Sequence, residues 1–234
     1  MTKTMTTTTP RHGRLPPGQR AIDWFPRFGV DTDTPPPPVP ADPAVEIGGA
    51  VAETFAVPIS DLATLPRRRV DADFHCVSGW TAVGLQWDGV AFADFYRLRI
   101  EPELRPGAVI THFEFIGLDE IRAVVTLGDA LEDDVLLADH LDGEPLSPDH
   151  GAPLRLVSPA QYGYINIKHL CRIRVHTSVP RRGRRTLADV LLHSHPRARV
   201  WEEERHGTLP GRLVRPVYGV IARVLLRKAR SSGR

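Results

Sequence analysis

From Val45 onward the chain breaks into short apolar runs separated by polar or glycine and proline punctuation. AVEIGGAVAETFAVPI and then RRRVDADFHCV carry β-branched and aromatic residues in runs too short for helices, which predicts strands. ISDLATLP predicts a short helix capped by Ser60. VAFADFYRLRI fits a helix or a strand equally well. AVITHFEFIG and EIRAVVTLG predict neighbouring strands, and LEDDVLLADHLDGEPL predicts an apolar run closed by a hairpin-like turn at LDGE. APLRLVSP and LCRIRVHT predict the last strands of the body. Mixed strands with short helices place the chain in the α+β class, and no internal repeat is visible.

The flanks differ from this body. Residues 1 to about 20 are polar and threonine-rich and predict a loosely attached arm. DTDTPPPPVPADP, residues 31–43, predicts an extended, polyproline-like spacer. Between them AIDWFPRFG holds three aromatics, which predicts packing on the body. The expected organisation is a leader over 1–43, one domain over 44–179 and a C-terminal extension over 180–234. Within the extension, RPVYGVIARVLLRK (215–228) predicts a helix with Pro216 in its first turn. Val217, Tyr218, Ile221, Val224 and Leu225 fall on one broad face of it and Arg215, Arg223 and Arg227 on the other. Two roles follow for this helix: docking on the body, or reversible contact with an anionic membrane or a redox partner.

Composition sharpens the picture. The 234 residues carry a net charge of +2, but residues 180–234 hold 14 Lys/Arg against 4 Asp/Glu. The body is thus acidic and the extension basic, which predicts an anionic partner surface for the extension. Two cysteines make no disulfide framework, and the N-terminus lacks the apolar segment of a signal peptide, so a cytoplasmic location is expected. No apolar run approaches the ~20 residues that span a bilayer. No phosphate loop, dinucleotide glycine fingerprint or CxxC pair is present, and no nucleic-acid partner is expected.

Four places carry candidate chemistry. His193 and His195 lack a third ligand nearby, and Glu132, Asp133 and Asp134 read as a solvated turn rather than a cation site. Cys76, in DFHCVSGWT, is either a buried thiol at a strand end or a ligand or nucleophile. His75 cannot serve it as a base within one strand, because adjacent residues point to opposite faces. Arg155 interrupts the apolar strand PLRLV. It is either an exposed edge charge or, with Lys168, one part of a phosphate grip.

Taken together, DFHCVSGWT, WDGV (87–90), LLADHLDGEPLSPDHGAPLRLVSP (136–159) and YGYINIKHL (162–170) resemble the molybdopterin-binding domain of the sulfite oxidase family, in particular its small bacterial members. PPGQRAIDWFPRFG resembles the leader of those relatives. The resemblance implies a molybdenum–molybdopterin cofactor, with no haem, and oxygen-atom transfer to or from a small substrate with a separate electron donor or acceptor. It implies that the Cys76 thiolate ligates molybdenum and is the catalytic residue. His75, His150, Arg155, Asn166, Ile167 and Lys168 are the implied cofactor contacts. Thr111 is placed as a further contact by its spacing after WDGV, and Arg27 as an anion contact in DWFPRFG.

Departures from the family pattern are equally visible. Ile165-Asn166-Ile167-Lys168 stands where Lys-Ser-x-Lys is frequent, so one loop cation is missing. Thr81, Ala82 and Val83 follow Trp80 where a serine and a basic residue are common. No arginine cluster for an oxyanion substrate can be placed, which argues against sulfite. A different class of function remains open: a non-catalytic cofactor-binding or interaction module acting through its basic tail.

Overall fold

The structure, a computed structural model, describes residues 13–27, 34–180 and 195–232. Two mixed β-sheets form the body. The first contains β1 (Arg20–Ile22), β4 (Arg67–His75), β5 (Trp80–Ala91), β8 (Leu136–Leu141), β9 (Glu144–Pro145) and β10 (Arg155–Val157). The long β5 pairs with β4 along one edge, and with β1 and then β8 along the other. The second sheet has the order β3-β2-β11-β6-β7, from β2 (Ala44–Gly49), β3 (Phe55–Pro58), β6 (His112–Gly117), β7 (Arg122–Thr126) and β11 (Leu170–His176). The pairs β1–β5 and β2–β11 are parallel and the others antiparallel. This is the expected α+β class.

Side-chain alternation along the strands gives the first sheet two buried faces. Val90, Leu137 and Leu156 point into the large core shared with the second sheet, where Phe92 meets Phe113 and Phe115 edge to face and stacks on Phe95. The neighbours Ala91, Leu136, Ala138 and Val157 point the other way, into a second cluster with Val70, Ala72, Phe74, Cys76, Trp80 and Trp87. A bulge lets β5 serve this second face along its whole length. Pairing shifts by one residue between Ala72 and Phe74, opposite Gly84. Gly84 has φ +71°, a conformation that favours glycine, and its N–H donates to Asp73. Trp80 and Ala82 before the bulge therefore share a face with Leu85 and Trp87 after it.

Several local expectations change. Residues 59–64 form a 3-10 helix that follows Pro58, with no side-chain cap from Ser60. The ambiguous stretch divides: Val90 and Ala91 end β5, a helical turn covers Phe92–Phe95, and a wider π turn covers Tyr96–Ile100. Residues 13–20 are not a loose arm. β1 joins the first sheet, the Gln19 side chain donates to the Cys76 carbonyl, and Arg205 donates to the Pro17 carbonyl. Trp24 and Phe25 pack on the second cluster. The C-terminal helix runs over Gly211–Ser232, longer than expected at both ends, with Pro216 inside it. The expected single apolar face is split: Ala222 and Leu226 are buried in the second cluster, whereas Val217 and Val224 are exposed. His193 lies outside the described residues.

Candidate active site on the outer face of the first sheet

Cys76 is the first residue after β4, in a tight turn that returns the chain into β5. Its N–H donates to the Trp80 carbonyl and its own carbonyl accepts from Gly79. Gly79 has φ +98°, which the turn requires and a side chain would oppose. The thiol is buried, with Sγ 3.0 Å from the Ser78 hydroxyl. Burial pushes its pKa up to about 11, against smaller opposing effects of Ser78 and the Arg205 charge. A thiol in this place is inert unless something stabilises its thiolate. His75, one residue earlier, turns away and bonds Thr81 through Nδ1 at 2.9 Å. The structure thus keeps His75 off the sulfur, as alternation requires.

Arg155 shares the second cluster's face of the first sheet. β10 is an edge strand, yet Arg155 is fully buried, so the reading of an exposed edge charge fails. The strand edge is covered by the loop that follows it. There, Leu156 N–H donates to the Ile167 carbonyl, and Arg155 donates to the carbonyls of His150 and Asn166 at 2.8 and 3.3 Å. Its guanidinium lies against Phe25, Phe74 and Trp87, 5.0 to 5.8 Å from the ring centres. Among the described residues it has no carboxylate partner and its Nε has no hydrogen-bond partner, and burial lowers its pKa to about 9.

Other basic groups converge on it. The Lys168 ammonium donates to the Asp149 carbonyl at 2.6 Å. Burial, then the charges of Arg155 and Arg27, lower its pKa to about 7. His150 stacks on Phe25 with ring centres 4.6 Å apart, and its Nδ1 has no hydrogen-bond partner among the described residues. Burial, then Lys168 and Arg155, lower its pKa to about 4. Arg27 reaches Asp149 at 3.7 Å. Asn166 fixes the loop from both ends, accepting from Ser158 N–H at 2.7 Å and donating to the Tyr162 carbonyl. The loop closes on the strand because residue 163 is glycine: a Cβ there would run into the Phe74 ring.

Six of the expected positions are therefore joined in one network, Arg27, His150, Arg155, Asn166, Ile167 and Lys168, and Cys76 shares the second cluster with Phe74 and Trp87, which pack on Arg155. His75 is tied to it through its carbonyl, which accepts from Gly163. Thr111 stands elsewhere. It precedes β6 in the second sheet and exchanges bonds with His176, His112 and Leu127, and no described contact joins it to the others.

Sequence reasoning missed four contributors. Phe25, Phe74 and Trp87 supply the aromatic wall around Arg155. Arg205, in EEERHG, is fully buried, donates to the Val77 carbonyl beside Cys76 and stacks on Tyr162. A cavity of about 510 Å³ opens elsewhere, lined by Asp129, Glu132, Asp133, Asp134 and Arg199, and among the expected site residues it includes none.

Comparison with known proteins identifies the family of the domain. The model of the family described as "oxidoreductase molybdopterin binding domain" matches residues 33–182. The chain is 32% identical to the uncharacterised oxidoreductase YuiH of Bacillus subtilis over 158 residues, 68% of this chain and 77% of that protein. It is 31% identical to the sulfite oxidase of Arabidopsis thaliana over 162 residues, 56% of this chain but only 41% of that longer protein. In fold it is similar to the sulfane dehydrogenase SoxCD of Paracoccus pantotrophus, with a TM-score of 0.50, 21% identity and coverage of 58% of this chain and 38% of that one.

The residues fit such a cofactor. A phosphate would supply the anion that Arg155 lacks among the described residues, with Lys168 beside it, and a metal would supply the cation that a buried thiolate needs. On the match over more than half its length, this chain belongs to the family of oxidoreductases built on the molybdopterin-binding domain.

Proposed function

We propose that the chain catalyses oxygen-atom transfer to or from a small molecule, with a molybdenum–molybdopterin held on the outer face of the first sheet. The observation that carries this reading is Arg155, a fully buried guanidinium that has, among the described residues, an unbonded Nε and no carboxylate. A fold that buries an uncompensated cation is stabilised by whatever anion completes it. The cofactor, when bound, would supply the oxygen-transfer and redox chemistry, and the protein would hold and orient it.

The protein's residues divide the remaining work. Arg155, Lys168 and Arg27 bind the phosphate end, and the planar arginine fork fixes its orientation. The carbonyls of His150 and Asn166 hold that fork in place. Cys76 gives a thiolate to the metal, losing its proton on binding. Ser78, close to Sγ, and the charge of Arg205 favour the thiolate once the metal is present. Trp80, Phe74 and Trp87 keep water from the sulfur, and Gln19 pins the turn through the Cys76 carbonyl. Electrons pass to or from a separate partner.

The test is metal and cofactor content. Protein purified from a molybdate-fed host should contain about one molybdenum and one released pterin per chain. Cys76→Ala should abolish turnover while leaving the fold intact. Full activity in that variant at equal metal loading would overturn the assignment.

A further inference from the structure

The C-terminal helix has two apolar stripes, and only one of them is covered. Tyr218, Ala222 and Leu226, four residues apart, face the body: the last two are buried in the second cluster, and Tyr218 lies within electrostatic reach of Cys76 and Arg205. Leu213, Val217, Val220 and Val224, spaced four, three and four, form a stripe on the opposite side, and all are 56% to 65% exposed. Leu209, just before the helix, is also half exposed. Exposed arginines at 212, 223 and 227 flank this outer stripe. From Arg205 to the last residue the chain carries eight Lys/Arg and no Asp or Glu.

The geometry points to an anionic lipid bilayer as the occupant of this outer face. An aliphatic stripe bordered along one side by long basic side chains, with no acid in the helix, suits the headgroup region, where the valines enter the acyl boundary and the arginines snorkel to lipid phosphates. The charge pattern argues against a second copy of the chain, since pairing two such helices would bring like charges together with no acid between them. The absence of aromatic residues from the stripe argues against a protein interface, whose central anchors are enriched in tryptophan and tyrosine. No described helix is long and apolar enough to cross a membrane, so the contact lies on the surface. Because the inner stripe packs over the cluster that holds Cys76, the contact sets this end of the candidate site against the bilayer.

The experiment is co-sedimentation of the full chain with vesicles of equal parts phosphatidylglycerol and phosphatidylcholine, or of phosphatidylcholine alone. The wild type should pellet with the anionic vesicles at low salt, be released at high salt and ignore the neutral ones. The triple variant Val217→Gln/Val220→Gln/Val224→Gln should melt as the wild type does but bind at least about tenfold more weakly. Arg223→Gln/Arg227→Gln should also weaken binding. A wild type that stays in the supernatant, or a triple variant that binds equally well, overturns the proposal. So does equal binding to neutral vesicles. A wild-type dimer that the triple variant converts to monomer, without vesicle binding, would assign the face to a second copy instead.

Discussion

The two faces of the first sheet solve different problems with the same strands. The inner face contributes Val90, Leu137 and Leu156 to a core of aliphatic and aromatic side chains, where burial is favourable at every position. The outer face contributes Cys76, a thiol whose ionisation burial opposes, and Arg155, a cation that burial disfavours. It is roofed by segments from both chain ends, Trp24 and Phe25 on one side and the C-terminal helix on the other. The inner face should therefore govern stability, and the outer face cofactor retention. The difference shows how one strand can serve both, since alternate residues of β10 report to opposite sides.

The largest expected effect tests the inner face. Leu137→Ala removes a fully buried side chain from the shared core and should lower unfolding free energy by about 2–5 kcal/mol in urea titrations. A loss below about 1 kcal/mol would mean the inner face is not the main source of stability.

Arg155→Met sharpens the contrast from the other side. It replaces a buried cation by an apolar chain of similar length, so the cofactor-free protein should unfold no more easily than the wild type. Retention of pterin through gel filtration should fall roughly tenfold or more, the equivalent of about 1.4 kcal/mol or more. Normal pterin occupancy would return Arg155 to a structural role.

A pH prediction follows from Lys168. Its pKa is lowered to about 7, mainly by burial, from an ordinary value near 10.5. Between these values the unfolded chain binds the proton and the folded chain does not, so stability of the cofactor-free protein should rise with pH across that window. The contribution is absent below about pH 7, and Lys168→Met should flatten the slope. A stability that falls over the same range in the wild type but not in Lys168→Met would contradict the burial of an uncompensated charge.

The smallest effect concerns Thr111, which bonds His176 in the second sheet. Thr111→Val should cost about 1 kcal/mol and leave pterin content unchanged. A large loss of pterin would extend the site beyond the outer face.

How much of this was legible in the sequence depends on the range of the interaction. Strands with a clear break at each end, such as the β6–β7 pair, could be read because their apolar runs and the intervening turn are local. The motif residues Cys76, Arg155 and Lys168 could be named because a thiol, an arginine and a lysine stand out against apolar neighbours. The face they share could not be read, because the bulge at Gly84 shifts the alternation of β5. Nor could the burial of Arg155: β10 lies at an edge, and only the loop 161–169 folding over it removes the charge from water. Arg205 was hidden for the same reason, since its burial depends on Pro17 and Val77, far away in the chain. The C-terminal helix was visible as amphipathic, but which apolar stripe docks is decided by the cluster it meets.

The most direct test of the central claim is X-ray absorption at the molybdenum edge, on wild type and Cys76→Ser proteins at equal molybdenum loading. One sulfur fewer is expected around the metal in Cys76→Ser than in the wild type. An unchanged sulfur shell would show that Cys76 is not a ligand, and that the buried thiol is part of the packing of the second cluster.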